Sequence, residues 1–261
     1  MIFRKRSALL RLSMAAALLG ALLILSISQA SAHDHSAPSS HNGHEGMSMA
    51  MDEQMQMDAT DPAKLLADKK ESEFNHHFAG FCVILAGLFI LAEGTLRQRR
   101  PLLRFAWPFC FLLSGLFLMV FSDTELWPFG PQSWSYGLTH NLEDVQHKTF
   151  AVILLALGFL ELQRARGVLK SAWAGWVFPV LAVCGSVMLL FHEHHTGMHG
   201  AEHMTVMARV QSEHLNFAIA GFGIGVLKGL SELPTRWQVT LAWLWSLPMI
   251  ALGVMLMLYV E

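Results

Sequence analysis

The chain has 261 residues, of which 53% are hydrophobic and 15% are charged, and its formal net charge is −2. So few charges, with the apolar residues gathered in long runs, exclude a soluble globular domain and indicate a membrane protein. A near-neutral charge without a basic stripe gives no indication of a nucleic-acid partner. The 3 cysteines lie inside apolar runs, so a disulfide framework is not expected.

Residues 1–32 have the pattern of an export signal. A basic start precedes a short apolar core over 12–27, and small residues around Ala32 form a cleavage site. We predict cleavage after Ala32, an uncleaved anchor being the alternative. Cleavage would make His33 the new N-terminus. Its amine, two backbone amides and the imidazole of His35 could then bind Cu(II) or Ni(II) in a square plane.

Residues 33–60 are rich in His, Ser, Gly and Met and show no apolar periodicity, so we predict a disordered tail. Met47, Met49 and Met51 alternate along this tail. Their thioethers favour Cu(I), whereas the imidazoles suit Cu(II), Ni(II) or Zn(II). A flexible polar linker is the alternative, but linkers seldom contain methionine. The composition therefore predicts a tail that captures metal ions.

An amphipathic helix is predicted over 61–76, because Asp61 and Pro62 resemble an N-cap and a first helical residue. The rest of the chain, 77–261, is predicted to be an all-α membrane domain of six transmembrane helices. Six apolar segments are long enough to cross a bilayer. Their approximate ranges are 77–96, 104–122, 147–163, 172–192, 213–230 and 237–259.

Lysine and arginine are concentrated in the three short turns between the first and second, third and fourth, and fifth and sixth spans. The longer loops, 123–146 and 193–212, contain a single lysine or arginine residue, Arg209. The positive-inside rule therefore places the short turns in the cytoplasm. We predict a bacterial inner-membrane protein whose tail and longer loops face the periplasm or the cell exterior.

The six spans are predicted to form three repeated helical hairpins. Each hairpin opens with a histidine, and its second span carries a proline followed by a glycine. The histidines are His77, His147 and His214, and the Pro–Gly pairs are Pro108 and Gly115, Pro179 and Gly185, and Pro248 and Gly253. Chance is the alternative, because both residue types are common in membrane helices. A true repeat would bring the three histidines to one level.

The loop after the fourth span contains five histidines within twelve residues. Its candidate ligands are His192, His194, His195, Met198, His199 and His203. Such a concentration has no packing role at a membrane boundary, where Trp, Tyr, Lys and Arg are the usual anchors. A pH-responsive or merely polar loop is the alternative. We predict that this loop binds a metal ion.

A second candidate site lies at the entrance to the third span. Continuous helical spacing would place His140, Glu143, Asp144 and His147 on one stripe. Histidine with carboxylate suits Zn, Ni, Mn or a di-iron centre as well as Cu(II). Alternatively, the two carboxylates only favour the helix N-terminus electrostatically.

Two glutamates, Glu93 and Glu161, lie near the predicted cytoplasmic boundary. Pairing with Arg97 and Arg164 is favoured over a role in proton relay.

The signal segment, the Met/His tail and the helix-end histidines His77, His147, His192 and His214 together resemble the CopD-type bacterial copper-resistance proteins. The tail is also similar in character to the N-termini of copper-uptake proteins and periplasmic copper chaperones. The resemblance implies copper as the bound metal, with a periplasmic copper chaperone as a partner.

The sequence therefore predicts a periplasm-facing copper-binding membrane protein in copper tolerance or trafficking, without a catalytic residue set. The first alternative is a Ni, Co, Zn or Cu transporter, which requires polar ligands near the bilayer midplane. The second is a membrane metalloenzyme or haem protein, and a haem would require paired histidines within the spans.

Overall fold

The computed structural model describes residues 62–96, 101–191, 201–235 and 238–260, all within one compact unit that spans residues 59–261. Several predicted metal ligands lie outside the described residues: His33, His35, Met47, Met49, Met51, His192, His194, His195, Met198 and His199. For His203 the helical backbone is described, but the side chain is not.

Eight helices account for most of the described residues, and the only β-pairing among them is an isolated bridge between Leu126 and Gln132. The helices are α1 Pro62–Leu96, α2 Leu103–Phe121, α3 Trp134–His140, α4 Leu142–Ala165, α5 Ala174–Leu189, α6 Ala201–Ser231, α7 Gln238–Leu244 and α8 Ser246–Met257.

Within the described part of the chain, four segments are long and apolar enough to cross a membrane: Leu66–Gly94, Leu103–Phe121, Leu142–Ala165 and Thr240–Met257. A fifth helix, α5, is apolar but has only 16 residues. The prediction of an all-helical membrane protein is thus confirmed in outline for the described residues.

Three helix boundaries differ from the prediction. The loop predicted over 193–212 is helical from Ala201 onward, because α6 runs from Ala201 to Ser231 and so begins before the predicted fifth span, 213–230. The amphipathic helix predicted over 61–76 is continuous with the first span, because α1 runs unbroken from Pro62 to Leu96. The last predicted span, 237–259, is instead divided between α7 and α8. Pro248 explains the division, because it has no N–H to donate to the carbonyl of Leu244, where α7 ends.

The six longest elements pack in a closed ring, in the order α1, α2, α4, α5, α6 and α8, with α8 returning to α1. One buried aromatic side chain from each of α2 and α5, and one from the α7–α8 junction, meet in the core. These are Trp107, Phe178 and Trp245, whose ring centroids are 6.1, 5.6 and 5.3 Å apart in pairs. We call these three residues the aromatic triad.

The same close contact recurs at three interfaces of the ring, α2 with α4, α5 with α6, and α8 with α1. In each, a glycine of one helix faces a backbone carbonyl of the other so closely that a Cβ atom would crowd the carbonyl oxygen. The pairs, with the distance such a Cβ would have, are Gly158 and Pro108 at 2.8 Å, Gly225 and Pro179 at 3.0 Å, and Gly87 and Ser246 at 3.2 Å.

A second close contact lies seven residues beyond each of these carbonyls. A Cβ atom added to Gly115 would lie 3.0 Å from the Ala151 carbonyl oxygen, and one added to Gly253 would lie 2.8 Å from the Gly80 carbonyl oxygen. At the third interface, a Cβ atom added to Gly221 would crowd the Ser186 side chain. The structural register therefore matches Pro108 with Pro179 and Ser246, rather than with Pro248 as the sequence pattern indicated. Likewise Ser186, not Gly185, is the counterpart of Gly115.

This register also identifies the equivalent histidines. Counting eleven residues back from Gly87, Gly158 and Gly225 leads to His76, His147 and His214. The prediction placed His77 with His147 and His214, but the structure places His76 there. Adjacent residues on a helix point about 100° apart, so only one of the two occupies the equivalent position.

Replacing Gly158 by alanine tests the close packing. The added methyl would lie 2.8 Å from both the Pro108 carbonyl and the Leu112 side chain, so we expect a loss of about 1–3 kcal/mol in unfolding free energy. The matched control is Gly223→Ala, whose methyl would meet nothing closer than 3.5 Å. Thermal unfolding in detergent measures both. Equal melting temperatures for the two variants would contradict the packing register.

Candidate functional site

Three histidines, His76, His147 and His214, lie at one end of the ring, on α1, α4 and α6 respectively. We call this end the histidine end and define it by these residues together with Asp123 and Tyr259. The elements that form it are the middle of α1 and of α6, the first turns of α4, and the chain segments that follow α2 and α8. Each histidine occupies the same position relative to a helix–helix contact.

His76 and His214 belong to one aromatic cluster. The His76 ring stacks on Tyr259, with centroids 4.0 Å apart and an interplanar angle of 22°. The His214 ring lies 6.2 Å from His76 and 6.1 Å from Tyr259, and Phe217 contacts all three rings. His214 is 2% exposed and Tyr259 is 0% exposed, whereas His76 is half-buried.

The hydrogen bonds of these two rings fix their tautomers. His76 Nδ1 lies 2.8 Å from the Ser72 carbonyl oxygen, and His214 Nδ1 lies 2.8 Å from the Val210 carbonyl oxygen. A carbonyl oxygen can only accept, so Nδ1 donates in both rings. In the neutral imidazole the lone pair is therefore on Nε2. An Nδ1–H bond to a backbone carbonyl is a common means of orienting a metal-binding histidine.

His147 is held in the same way by a carboxylate. Its Nδ1 lies 2.8 Å from Asp123 Oδ1, while Asp123 Oδ2 lies 2.7 Å from Lys148 Nζ. Asp123 is 5% exposed and also accepts a hydrogen bond from the Ser122 hydroxyl. Burial opposes ionisation of this loop carboxyl, but the bonds from His147, Lys148 and Ser122 outweigh it and hold its pKa below the usual range.

Asp123 and Lys148 were missed by the sequence analysis. Lys148 donates to the Met119 carbonyl and to Ser122, and its Nζ lies 5.2 Å from the Trp134 ring centre. One signal was present in the sequence, because a lysine one turn inside an apolar span needs an anionic partner nearby. Asp123, at the start of the preceding loop, was the obvious candidate.

The stripe predicted through His140, Glu143, Asp144 and His147 is wrong. Asn141 adopts an extended conformation (φ −121°, ψ 109°) and caps α4, its side chain accepting from the Glu143 N–H at 3.0 Å. His140 therefore ends a separate helix, α3, where it is exposed and stacks on Tyr136. The periodicity assumed one continuous helix, and the cap interrupts it.

The two carboxylates of the predicted stripe have different environments. Glu143 lies in the first turn of α4, as the electrostatic alternative requires. Asp144 is 1% exposed, and its Oδ1 accepts from the Asn141 side chain at 2.9 Å. Among the residues that the structure describes, no three His, Cys, Asp or Glu side chains come together as a metal site. His77 instead bonds through Nε2 to the Tyr259 carbonyl oxygen at 3.1 Å.

Comparison with known proteins identifies no relative: no family model matches the chain, and neither a curated protein nor a solved structure matches it.

Replacing Asp123 by asparagine tests the ion-pair cluster. The change leaves Lys148 buried without its anion, so we expect a loss of about 3–5 kcal/mol at pH 7. The pKa of Asp123 is lower in the folded state than in the unfolded state, where it is about 3.9. The contribution of its ionised form to the unfolding free energy is therefore complete above the unfolded-state pKa and is lost as the pH falls through the folded-state pKa. The difference between wild type and variant in melting temperature should therefore shrink in acid.

The matched control is Glu125→Gln, an exposed change in the same loop, for which we expect less than about 1 kcal/mol. A difference for Asp123→Asn that stays constant from pH 7 to the acid limit would contradict the assignment.

Proposed function

We propose that the chain is a membrane protein with six spans, arranged as three repeated hairpins, that binds copper at its histidine end. Four helices suited to spanning, and the recurring glycine contacts that include α5 and α6, support the hairpin arrangement. Those basic residues of the short turns that line a common cavity at the other end of the ring are Arg104, Arg164, Arg166 and Lys228. The positive-inside rule then places the histidine end in the periplasm of a bacterial inner membrane.

The observation that carries this proposal is the shared state of the three equivalent histidines. His76, His147 and His214 each hold Nδ1 against an oxygen atom, at 2.8 Å in every case. A single histidine with its Nδ1 held against an oxygen atom would be an incidental feature of one helix. Three acceptors of different origin, a carboxylate and two carbonyls, give the same tautomer at three matched positions, which is what ligation through Nε2 requires.

The centroid separation of His76 and His214 is compatible with Cu(I). An ion bound to an imidazole nitrogen lies about 3.2 Å from the ring centroid, so two ligating rings have centroids about 6.4 Å apart in a straight arrangement and about 5.2 Å apart at a tetrahedral angle. The observed separation is 6.2 Å. Zinc sites are tetrahedral with four ligands, whereas Cu(I) accepts two donors in a nearly straight line.

The Met/His tail and the histidine loop would supply ions to this pair. Donors tethered to the same chain raise the local concentration of bound metal without any new contact. The thioethers of Met47, Met49 and Met51 would favour the same oxidation state, Cu(I). A periplasmic copper chaperone would be the source or the recipient of the ion.

Binding is favoured over transport because of the aromatic triad. Trp107, Phe178 and Trp245 pack against one another in the core of the ring, about one turn from the end opposite the histidines. A transporter of Cu, Ni, Zn or Co would need a path past these three rings as well as polar ligands near the bilayer midplane.

Removing either histidine of the pair tests the proposal. Purified full-length protein, stripped and reloaded under reducing conditions, is titrated against a chromogenic Cu(I) chelator. We expect His76→Ala and His214→Ala each to lose one equivalent of tightly bound Cu(I). The Cu(I) affinity of the site should fall by more than the roughly 10–100-fold that the loss of an outer-sphere partner costs. The other equivalents, held by the tail, should remain.

His77→Ala is the matched control, since His77 donates Nε2–H to a backbone carbonyl and lies beside the pair. Its Cu(I) stoichiometry should equal that of the wild type. The proposal fails if the wild type holds no copper above background, or if both pair variants keep every equivalent while remaining folded by thermal unfolding.

A further inference from the structure

A cavity of about 490 Å³ opens at the end of the ring opposite the histidines. We call this the arginine end and define it by Arg104, Arg164, Arg166 and Lys228. The cavity is formed by α1, α2, α4, α6 and the turn after α4, and Trp107 of the aromatic triad lines it. Its volume lies within the range of small-molecule sites, about 300–1,000 Å³.

The inner charges of this cavity are paired with one another. Arg164 lies 2.7 Å from Glu161 and donates two hydrogen bonds, of 2.8 and 2.9 Å, to Glu232. Glu232 also accepts from Lys228. The prediction that Glu161 pairs with Arg164 is thus confirmed. Burial alone would raise the pKa of Glu232, but Lys228 and Arg164 lower it overall, so the network holds two cations and two anions.

The outer charges of the cavity are not paired in this way. Among the described residues, Arg104 and Arg166 have no carboxylate partner: Arg104 lies over the Phe105 ring, and Arg166 only approaches the Gln163 side-chain oxygen at 3.4 Å. Glu93 is the one further carboxylate that lines the cavity. The inner network is neutral, so the two guanidinium groups leave the mouth with a positive excess.

The positive-inside rule explains why arginines are found at this end, but not why they surround a cavity. That rule is satisfied by any loop arginine in water. Here the lining is polar, the inner cations are held in place by Glu161 and Glu232, and the two remaining arginines of the lining are exposed. Guanidinium groups bind phosphate oxygens in pairs, with a planar geometry that lysine cannot reproduce.

We propose that this cavity binds a phosphate-class anion, through Arg104 and Arg166 at its mouth with Lys228 below. The anion is either free inorganic phosphate or the headgroup phosphate of an anionic lipid. The site is separate from the histidine end, and its occupancy does not depend on the binding of copper.

Equilibrium dialysis of full-length protein against radiolabelled inorganic phosphate, in a phosphate-free maltoside detergent, tests the proposal. We expect saturable binding of one phosphate per chain. Arg104→Gln combined with Arg166→Gln should weaken it by about tenfold or more, and the corresponding double lysine variant should be intermediate. Both arginines are exposed, so thermal unfolding should show that the variants fold.

Arg209→Gln is the matched control, because Arg209 is likewise an exposed arginine but lies near the histidine end, paired with Glu213 at 3.1 Å. It should bind phosphate as the wild type does. A competition experiment with short-chain lipids distinguishes the two sources. If phosphatidylglycerol displaces the labelled phosphate and phosphatidylcholine does not, the ligand is a lipid headgroup. If neither lipid displaces it, the ligand is free phosphate. The proposal is overturned if neither anion binds saturably, or if the double glutamine variant binds like the wild type.

Discussion

The close approach of helix backbones at three glycine-lined interfaces determines where every other feature of this protein lies. Between membrane helices the surrounding lipid is as apolar as the side chains, so association depends on packing, and small residues allow the closest packing. The ring is closed because α8 meets α1 with the same contact that joins α2 to α4. One register then positions three sets of residues at once: the histidines, the contact carbonyls, and the aromatic triad one residue before each carbonyl.

At the end of the ring opposite the histidines, the shared register places chemically different side chains at equivalent positions. Three residues beyond Gly87, Gly158 and Gly225 the chain carries Ile90, Glu161 and Lys228, so equivalent positions hold an apolar, an acidic and a basic side chain. Glu161 and Lys228 can both be buried there because Arg164 and Glu232 join them in one network. Removing either partner would leave an uncompensated buried charge, so this asymmetry lies in the side chains and not in the backbone.

The sequence predicted those features that depend on periodicity and composition: the apolar helices and the positions of His147 and His214. It could not predict features that depend on contacts between distant segments. The choice between His76 and His77 is decided by the packing of α1 against α8. The separation of His140 from His147 is decided by one residue, Asn141, whose side chain caps α4 instead of continuing the helix. Asp123 meets His147 only because α2 and α4 are neighbours.

The three equivalent histidines are alike in tautomer but not in surroundings, and this difference separates their chemistry. His76 and His214 donate to neutral backbone carbonyls inside an aromatic cluster. His147 donates to a carboxylate that also binds Lys148, a setting that makes an imidazole more basic and a ligand more strongly electron-donating. A soft, singly charged ion is therefore better suited to the His76–His214 pair, and a harder divalent ion to His147. One repeated scaffold thus provides two kinds of nitrogen donor at one end of the ring.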